Sequence, residues 1–244
     1  MSAISMPAHA PATVSFRERP MAQPPARAGF DIERLREHVP VLRRKVKAGQ
    51  SIYRAGQPFH ALYLVHVGCF KTAELSDDGR EQVTGFRMRG DLIGVESIGL
   101  SVYACDAVAL EDGEVWELPY PPVLNALFGL PDLHARFTAA MAEEIRRDRA
   151  WMLALGTLSA EQRVAAFLVD IAGRCKALGF SDRHFILRMS RSDMASYLAL
   201  KHETVSRALS HLQDAGCIAV LRREIKVLDP DLLVGLASGS IAVH

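Results

Sequence analysis

"RMSRSDMASYLALKHETVSRALSHLQDAGCIAVLRREIKVLD", residues 188–229, is the stretch on which the fold turns. Ser190 with Asp193 three residues later is an N-cap with an acidic side chain in the first turn, so it opens a helix through "SRSDMASYLAL". A second helical run, "HETVSRALSHLQDAG", ends at Gly216, placed for the left-handed residue that closes a helix. "CIAVLRREIKVLD" then reads as two short strands around Arg223 and Glu224. Two helices joined by a short turn and followed by a hairpin make a winged helix-turn-helix, whose second helix enters the major groove of DNA.

The second helix has two chemically distinct faces. Val205, Leu209 and Leu212 fall at i, i+4 and i+7 and face inward toward Met194 and Leu198. Glu203, Ser206 and Arg207 lie on the other side. An Arg guanidinium donates two hydrogen bonds to guanine O6 and N7, a Glu carboxylate accepts from cytosine N4, and a Ser hydroxyl bonds either kind of base edge. Lys201, His202, His211, Arg188 and Arg191, with Arg222, Arg223 and Lys226 of the hairpin, surround this face as candidates for DNA-backbone or flanking contacts. The competing reading of Glu203 and Arg207 is an i, i+4 ion pair on a solvated helix, stabilising by about 0.3–0.5 kcal/mol. Residues 158–244 hold eleven Lys and Arg against nine Asp and Glu, a net of +2, so the orientation of the charges must matter more than their sum.

Working outward, residues 131–157 keep a helical period in which Met141, Ile145, Asp148, Met152 and Leu155 follow a heptad rhythm, the seam of a dimerisation helix. The alternative is an amphipathic helix lying on its own barrel, served by Phe137, Trp151 and Leu153. Between Val41 and about Phe128 the pattern is short apolar runs with alternating burial, broken by Gly and by the turn "SDDGRE", which predicts a sandwich, jelly roll or barrel. A short helix, "DIERLREHV", precedes it, and residues 1–29, with five of the twelve prolines, read as a disordered arm. The expected domains are therefore the arm (1–29), a jelly-roll sensor (30–130), the dimerisation helix (131–157) and the winged helix-turn-helix (158–244), an α+β chain. The net charge is +1, and no apolar run is long enough for a membrane span, so no membrane partner is expected and the cytoplasm is the default location.

This order of parts resembles the CRP/FNR superfamily of transcription factors over residues 30–236. "ETVSR" matches the Glu-x-x-Ser-Arg signature of the FNR-like branch, and "GDLIGVESIGL", "LSAEQRVAAFLVDIAGR" and "RMSRSDMASYLAL" are similar to that branch as well. The resemblance implies an N-terminal double-stranded β-helix of the cyclic-nucleotide-binding type and a homodimer on double-stranded DNA. It implies a palindrome of the form TTGAT, four bases, ATCAA, and recruitment or obstruction of RNA polymerase. Two departures stand out. Ala199 replaces the Gly usual in the turn, at roughly 1 kcal/mol if that residue is left-handed; His202 precedes Glu203 at a variable position and leaves the outer base of the half-site open.

The family's known effectors fit the sequence poorly. Cyclic-nucleotide binders hold the phosphate with an Arg late in the jelly roll, whereas "VESIGLSVYACDAVALEDG" contains neither Arg nor Lys, so cAMP binding is not expected. The cysteines are Cys69, Cys105, Cys175 and Cys217, with none in the first 68 residues and Trp116 where the family's barrel cysteine stands, so an FNR-type [4Fe–4S] cluster is not expected either. A haem or nitric oxide sensor with His60, His66 or His134 as ligand, or a FixK-like regulator without ligand and controlled by its own expression or by thiol oxidation, with Cys175 or Cys217 as redox handles, remain as readings. Two copies of Asp148 across a parallel seam would repel and weaken the dimer. A cupin-type metalloenzyme is the rival class, but "LVHVGCFKTAEL" lacks the His-x-His pair such a site needs.

Overall fold

The computed structural model describes residues 35–76 and 79–240. The arm, the first residues of "DIERLREHV", and Asp77 and Asp78 of the "SDDGRE" turn lie outside the described residues. The sensor is built from β1 (Leu42–Val46), β2 (Ser51–Tyr53), β3 (Ala61–Val67), β4 (Phe70–Leu75), β5 (Glu81–Arg87), β6 (Leu92–Ile93), β7 (Asp106–Ala109) and β8 (Gly113–Pro119). They form two antiparallel sheets in the orders β1-β8-β3-β6 and β2-β7-β4-β5, the jelly roll expected from the alternating pattern.

Strand β3 shows why the sequence folds this way. Its Tyr63 and Val65 point between the sheets, into a core with Tyr53, Phe70, Ile93, Tyr103 and Val115. Its Leu62 and Leu64 point outward into a second core with Leu35, Val39, Trp116 and Leu118. Both faces of β3 are thus buried, which is why it reads as a nearly continuous apolar run. The outer core is closed by α1 (Tyr120–Gly129), through Val123 and Leu127, and by Leu133 of α2 (Pro131–Thr157). Residues 120–129 belong to a helix and not to the strand-rich pattern assigned up to Phe128. Proline in the first turn, where no N–H is needed, is the local signal for it.

Helix α2 runs unbroken for 27 residues. Trp151 and Ala154 are buried on one side, with Trp151 packed against Phe167 and Tyr197, whereas Leu153 is 66% exposed and does not serve that packing. Of the residues expected to form a seam, Ile145 (52% exposed) and Met152 (72%) project into solvent, and Leu155 is half-buried. Met141, in contrast, leans on the outer core of the sensor.

The C-terminal head consists of α3 (Ala160–Ala177), β9 (His184–Ile186), α4 (Arg191–Tyr197), α5 (His202–Asp214), β10 (Ile218–Leu221), β11 (Glu224–Val227) and α6 (Pro230–Ala237). Its core joins Val164, Phe167, Leu168 and Ile171 of α3 to Met194, Leu198, Val205, Leu209 and Leu212, with Ile218 and Ile225 of the hairpin beneath. Two elements go beyond the sequence reading. β9 adds a third strand to the wing, in the order β10-β11-β9, and α6 packs on α3 after the hairpin. Asp229 caps α6 by accepting from Leu232 N at 3.0 Å, with Pro230 in the first turn, so "DPDLL" carried the signal. Among the described residues, no helix is long and apolar enough to cross a membrane.

Candidate nucleic-acid interface

Helix α4 begins with a closed capping box: Asp193 N donates to Ser190 Oγ at 3.0 Å and Ser190 N donates to Asp193 Oδ2 at 2.9 Å. It ends at Tyr197 with Leu198 as its C-cap, and the chain turns through Ala199 at φ 51°. The left-handed turn residue is therefore an alanine, carrying the roughly 1 kcal/mol penalty that glycine would avoid. Lys201 stands at the N-cap of α5 and has no side-chain acceptor, which leaves the first N–H groups of that helix for an outside acceptor. At the other end Gly216, at φ 73°, closes the helix, and Cys217 N donates to Leu212 O at 3.0 Å.

Between these ends the two faces separate as the spacing predicts. Val205, Leu209 and Leu212 are 0–4% exposed, and Met194 and Leu198 are fully buried behind them. Glu203 and Arg207 are exposed, Ser206 is half-buried at their side, and among the described residues neither charged group enters an ion pair. The i, i+4 pair that would explain them away is not formed. Ser206 Oγ donates to His202 O at 3.2 Å, one turn back, which leaves its lone pairs free to accept.

The basic residues and histidines around this face fall into two groups. Arg191, Arg222, Arg223 and His202 line one concavity of about 270 Å³ together with Ser190 and Ser192. The β10–β11 turn is Arg222–Arg223, one residue earlier than the sequence suggested, since Leu221 pairs with Glu224. Arg222 sits at φ 57°, a left-handed conformation that an arginine adopts only under strain, and its carbonyl accepts from Arg191 at 3.2 Å. Burial and the charge of Arg223 hold Arg191 below the usual arginine value, so this cluster gains from a bound anion. Lys201 and Lys226 are exposed nearby. The second group is engaged elsewhere. Arg188 pairs with Glu111 of the sensor at 3.1 Å, and His211 Nδ1 is paired with Glu161 of α3.

The core between the two sheets of the jelly roll is packed with aromatic and aliphatic side chains. The ring of Tyr103 stacks on Tyr53 at 3.7 Å between centroids, with Phe59 edge-on at 5.3 Å. Glu96 accepts from the Tyr53 hydroxyl and from the Cys105 thiol, each at 3.0 Å. The candidate haem histidines have packing roles or face water: His60 lies 3.2 Å from Pro58 O, His66 stacks on Trp116 at 4.3 Å, and His134 is exposed. All four thiols are buried. Burial pushes Cys217 up to about 11 and Cys69 up to about 12, and it raises Cys105 and Cys175 as well, so they are held protonated and unreactive. On the long helix, burial and the neighbouring Glu144 raise the Asp148 carboxyl, against the pull of Arg87 and Arg147.

Comparison with known proteins agrees with this geometry. Residues 43–128 match the cyclic nucleotide-binding domain family, and residues 162–236 match the Crp-like helix-turn-helix domain family. The transcriptional activator protein Anr of Pseudomonas protegens is 38% identical over 198 residues, 81% of each chain. The fumarate and nitrate reduction regulatory protein of Escherichia coli is 35% identical over 80% of this chain and 78% of its own length. The structure of FixK2 from Bradyrhizobium japonicum superposes with a TM-score of 0.74 at 30% identity, covering 80% of this chain and 96% of that one. These relatives are transcription regulators and not enzymes, which retires the metalloenzyme reading. With these matches along most of its length, the chain belongs to the CRP/FNR family of DNA-binding transcription regulators, in its FNR/FixK branch.

Proposed function

We propose that the protein acts in the cytoplasm as a homodimer that reads a palindrome of the form TTGAT, four bases, ATCAA, and there recruits or obstructs RNA polymerase. Glu203, Ser206 and Arg207 read base edges, while Arg191, Arg222, Arg223, Lys201 and His202 hold phosphates and set the register. The observation that carries this reading is the state of α5, whose Glu203 and Arg207 are exposed and outside any ion pair among the described residues, on a helix anchored by Val205, Leu209 and Leu212. The dimer rests on Ile145 and Met152, apolar side chains left exposed along one side of a 27-residue helix, with Asp148 between them. Arg188 and His211, tied to Glu111 and Glu161, reach DNA only if those pairs open.

Fluorescence anisotropy on three duplexes tests the reading: the palindrome, the palindrome with one arm scrambled, and a fully scrambled control. The palindrome should bind at least about a thousandfold tighter than the control, and losing one arm should remove most of that advantage. Equal affinity for all three would overturn it.

A further inference from the structure

Strand β5 is the outermost strand of its sheet, so one row of its N–H and C=O groups has no strand partner. The head occupies that row. Ser196 Oγ of α4 accepts from Val83 N at 2.8 Å and donates to Glu81 O at 3.0 Å, and Gln82 Nε2 donates to Ser196 O at 2.5 Å. Farther along, Arg174 of α3 donates to Phe86 O at 2.7 Å and pairs with Asp91 at 2.8 Å, only 5% exposed. Lys71 of the neighbouring β4 reaches Asp193, the capping residue of α4, at 2.9 Å.

At its last residue the same strand turns the other way. The Arg87 guanidinium, 7% exposed, is paired with Glu144 on α2, which Arg147 also binds at 3.0 Å. The turn between Arg87 and Asp91 is stapled. Met88 N donates to Asp91 Oδ2 at 2.8 Å, Gly90 N donates to Val65 O, and Val65 N donates to Asp91 O, the last two at 2.9 Å. Arg87 and Asp91 therefore move together. Arg87 Nε and Arg174 Nε are both buried without a hydrogen-bond partner, so Arg87 relies on Glu144 and Arg174 on Asp91, Asp170 and Phe86 O. A buried ion pair tolerates little change in geometry before its desolvation is uncompensated.

We propose that β5 is a strut between the long helix and the DNA-reading head, with Arg87–Glu144 as its helix end and Ser196, Arg174 and Lys71–Asp193 as its head end. A displacement of Glu144, such as the pairing of two long helices would produce, moves Arg87 and loosens or tightens the seat of α4. The strut regulates the interface proposed above and takes the head and long helix in those roles; its test needs no DNA.

The probe is native hydrogen exchange at the Val83 amide, which exchanges freely only when the head leaves the edge of β5. Ser196→Ala removes its acceptor at the head end, and Glu144→Gln breaks the pair at the far end. Both should speed Val83 exchange roughly tenfold or more, with Arg87→Lys intermediate. Glu143→Gln, whose native partner is the exposed Arg146, should leave it within about twofold of wild type. Unchanged exchange in Glu144→Gln beside accelerated exchange in Ser196→Ala would overturn the coupling, and so would equal acceleration by Glu143→Gln. The predicted pattern in a protein that ignores the palindrome would refute the DNA reading and leave the strut standing.

Discussion

Arg222→Gly should stabilise the head and weaken DNA binding at the same time. At φ 57° in a two-residue turn, an L-residue costs roughly 1–2 kcal/mol relative to right-handed backbone. Glycine removes that strain but has about 0.4–1 kcal/mol more unfolded-state freedom to lose. The net is a gain of about 0.5 kcal/mol, or roughly 2–4 °C for a domain the size of the head. The carbonyl that accepts from Arg191 is backbone and survives the substitution. What disappears is one exposed guanidinium at the rim of the cationic concavity. If it holds a phosphate, the slope of log affinity against log salt becomes shallower by about 0.9, equally on specific and scrambled DNA. Urea denaturation followed by circular dichroism gives the first number, and anisotropy titrations at four salt concentrations give the second. A less stable variant with an unchanged salt slope would refute both halves of the reasoning.

Three further outcomes follow from the same geometry. Asp148→Ala should lower the dimer dissociation constant in sedimentation; an unchanged constant would remove Asp148 from the seam. Two ionised copies of Asp148 facing each other repel, and partial desolvation with Glu144 beside it already raises this carboxyl above its ordinary value, so protonation removes the repulsion and dimers should tighten as pH falls through the raised value. Asp193 behaves oppositely. Burial alone would raise it, but hydrogen bonds from Ser190 and Lys71 hold it below 3.8, so its contribution to seating α4 is present above that value and is lost as pH falls through the lowered one, which acid titration of Val83 exchange will show. The four buried thiols should react with iodoacetamide only at the rate of unfolding in native buffer, and rapid labelling of Cys175 or Cys217 would restore the redox reading.

The parts of the fold that local chemistry dictates were legible in the sequence. Ser190 with Asp193, Gly216, and the i, i+4, i+7 spacing of Val205, Leu209 and Leu212 each act within one or two helical turns, and each lies where that chemistry puts it. The helices α1 and α6 are faint in the sequence although proline marks the first turn of both, because a short helix that packs after a strand carries little apolar period of its own. Contacts distant in sequence were illegible. Ser196 meets Val83 across 113 residues and Arg174 meets Asp91 across 83, and neither pair leaves a pattern in the chain. The same limit applies to the flanking basic residues and histidines. Composition could group Arg188 and His211 with Arg191 and Arg222, but only the fold distinguishes those tied to Glu111 and Glu161 from those lining an open concavity.

The central claim is that the exposed face of α5 reads bases, and Arg207 tests it most directly. Wild type and Arg207→Ala are titrated against the palindrome and against versions in which each base pair of one arm is replaced in turn. If Arg207 bonds a guanine, its loss costs about 1–3 kcal/mol on the palindrome, and discrimination disappears at that one base pair while persisting at the others. An equal loss of affinity on every duplex, with the pattern of base preference intact, would make Arg207 a phosphate contact and contradict the reading.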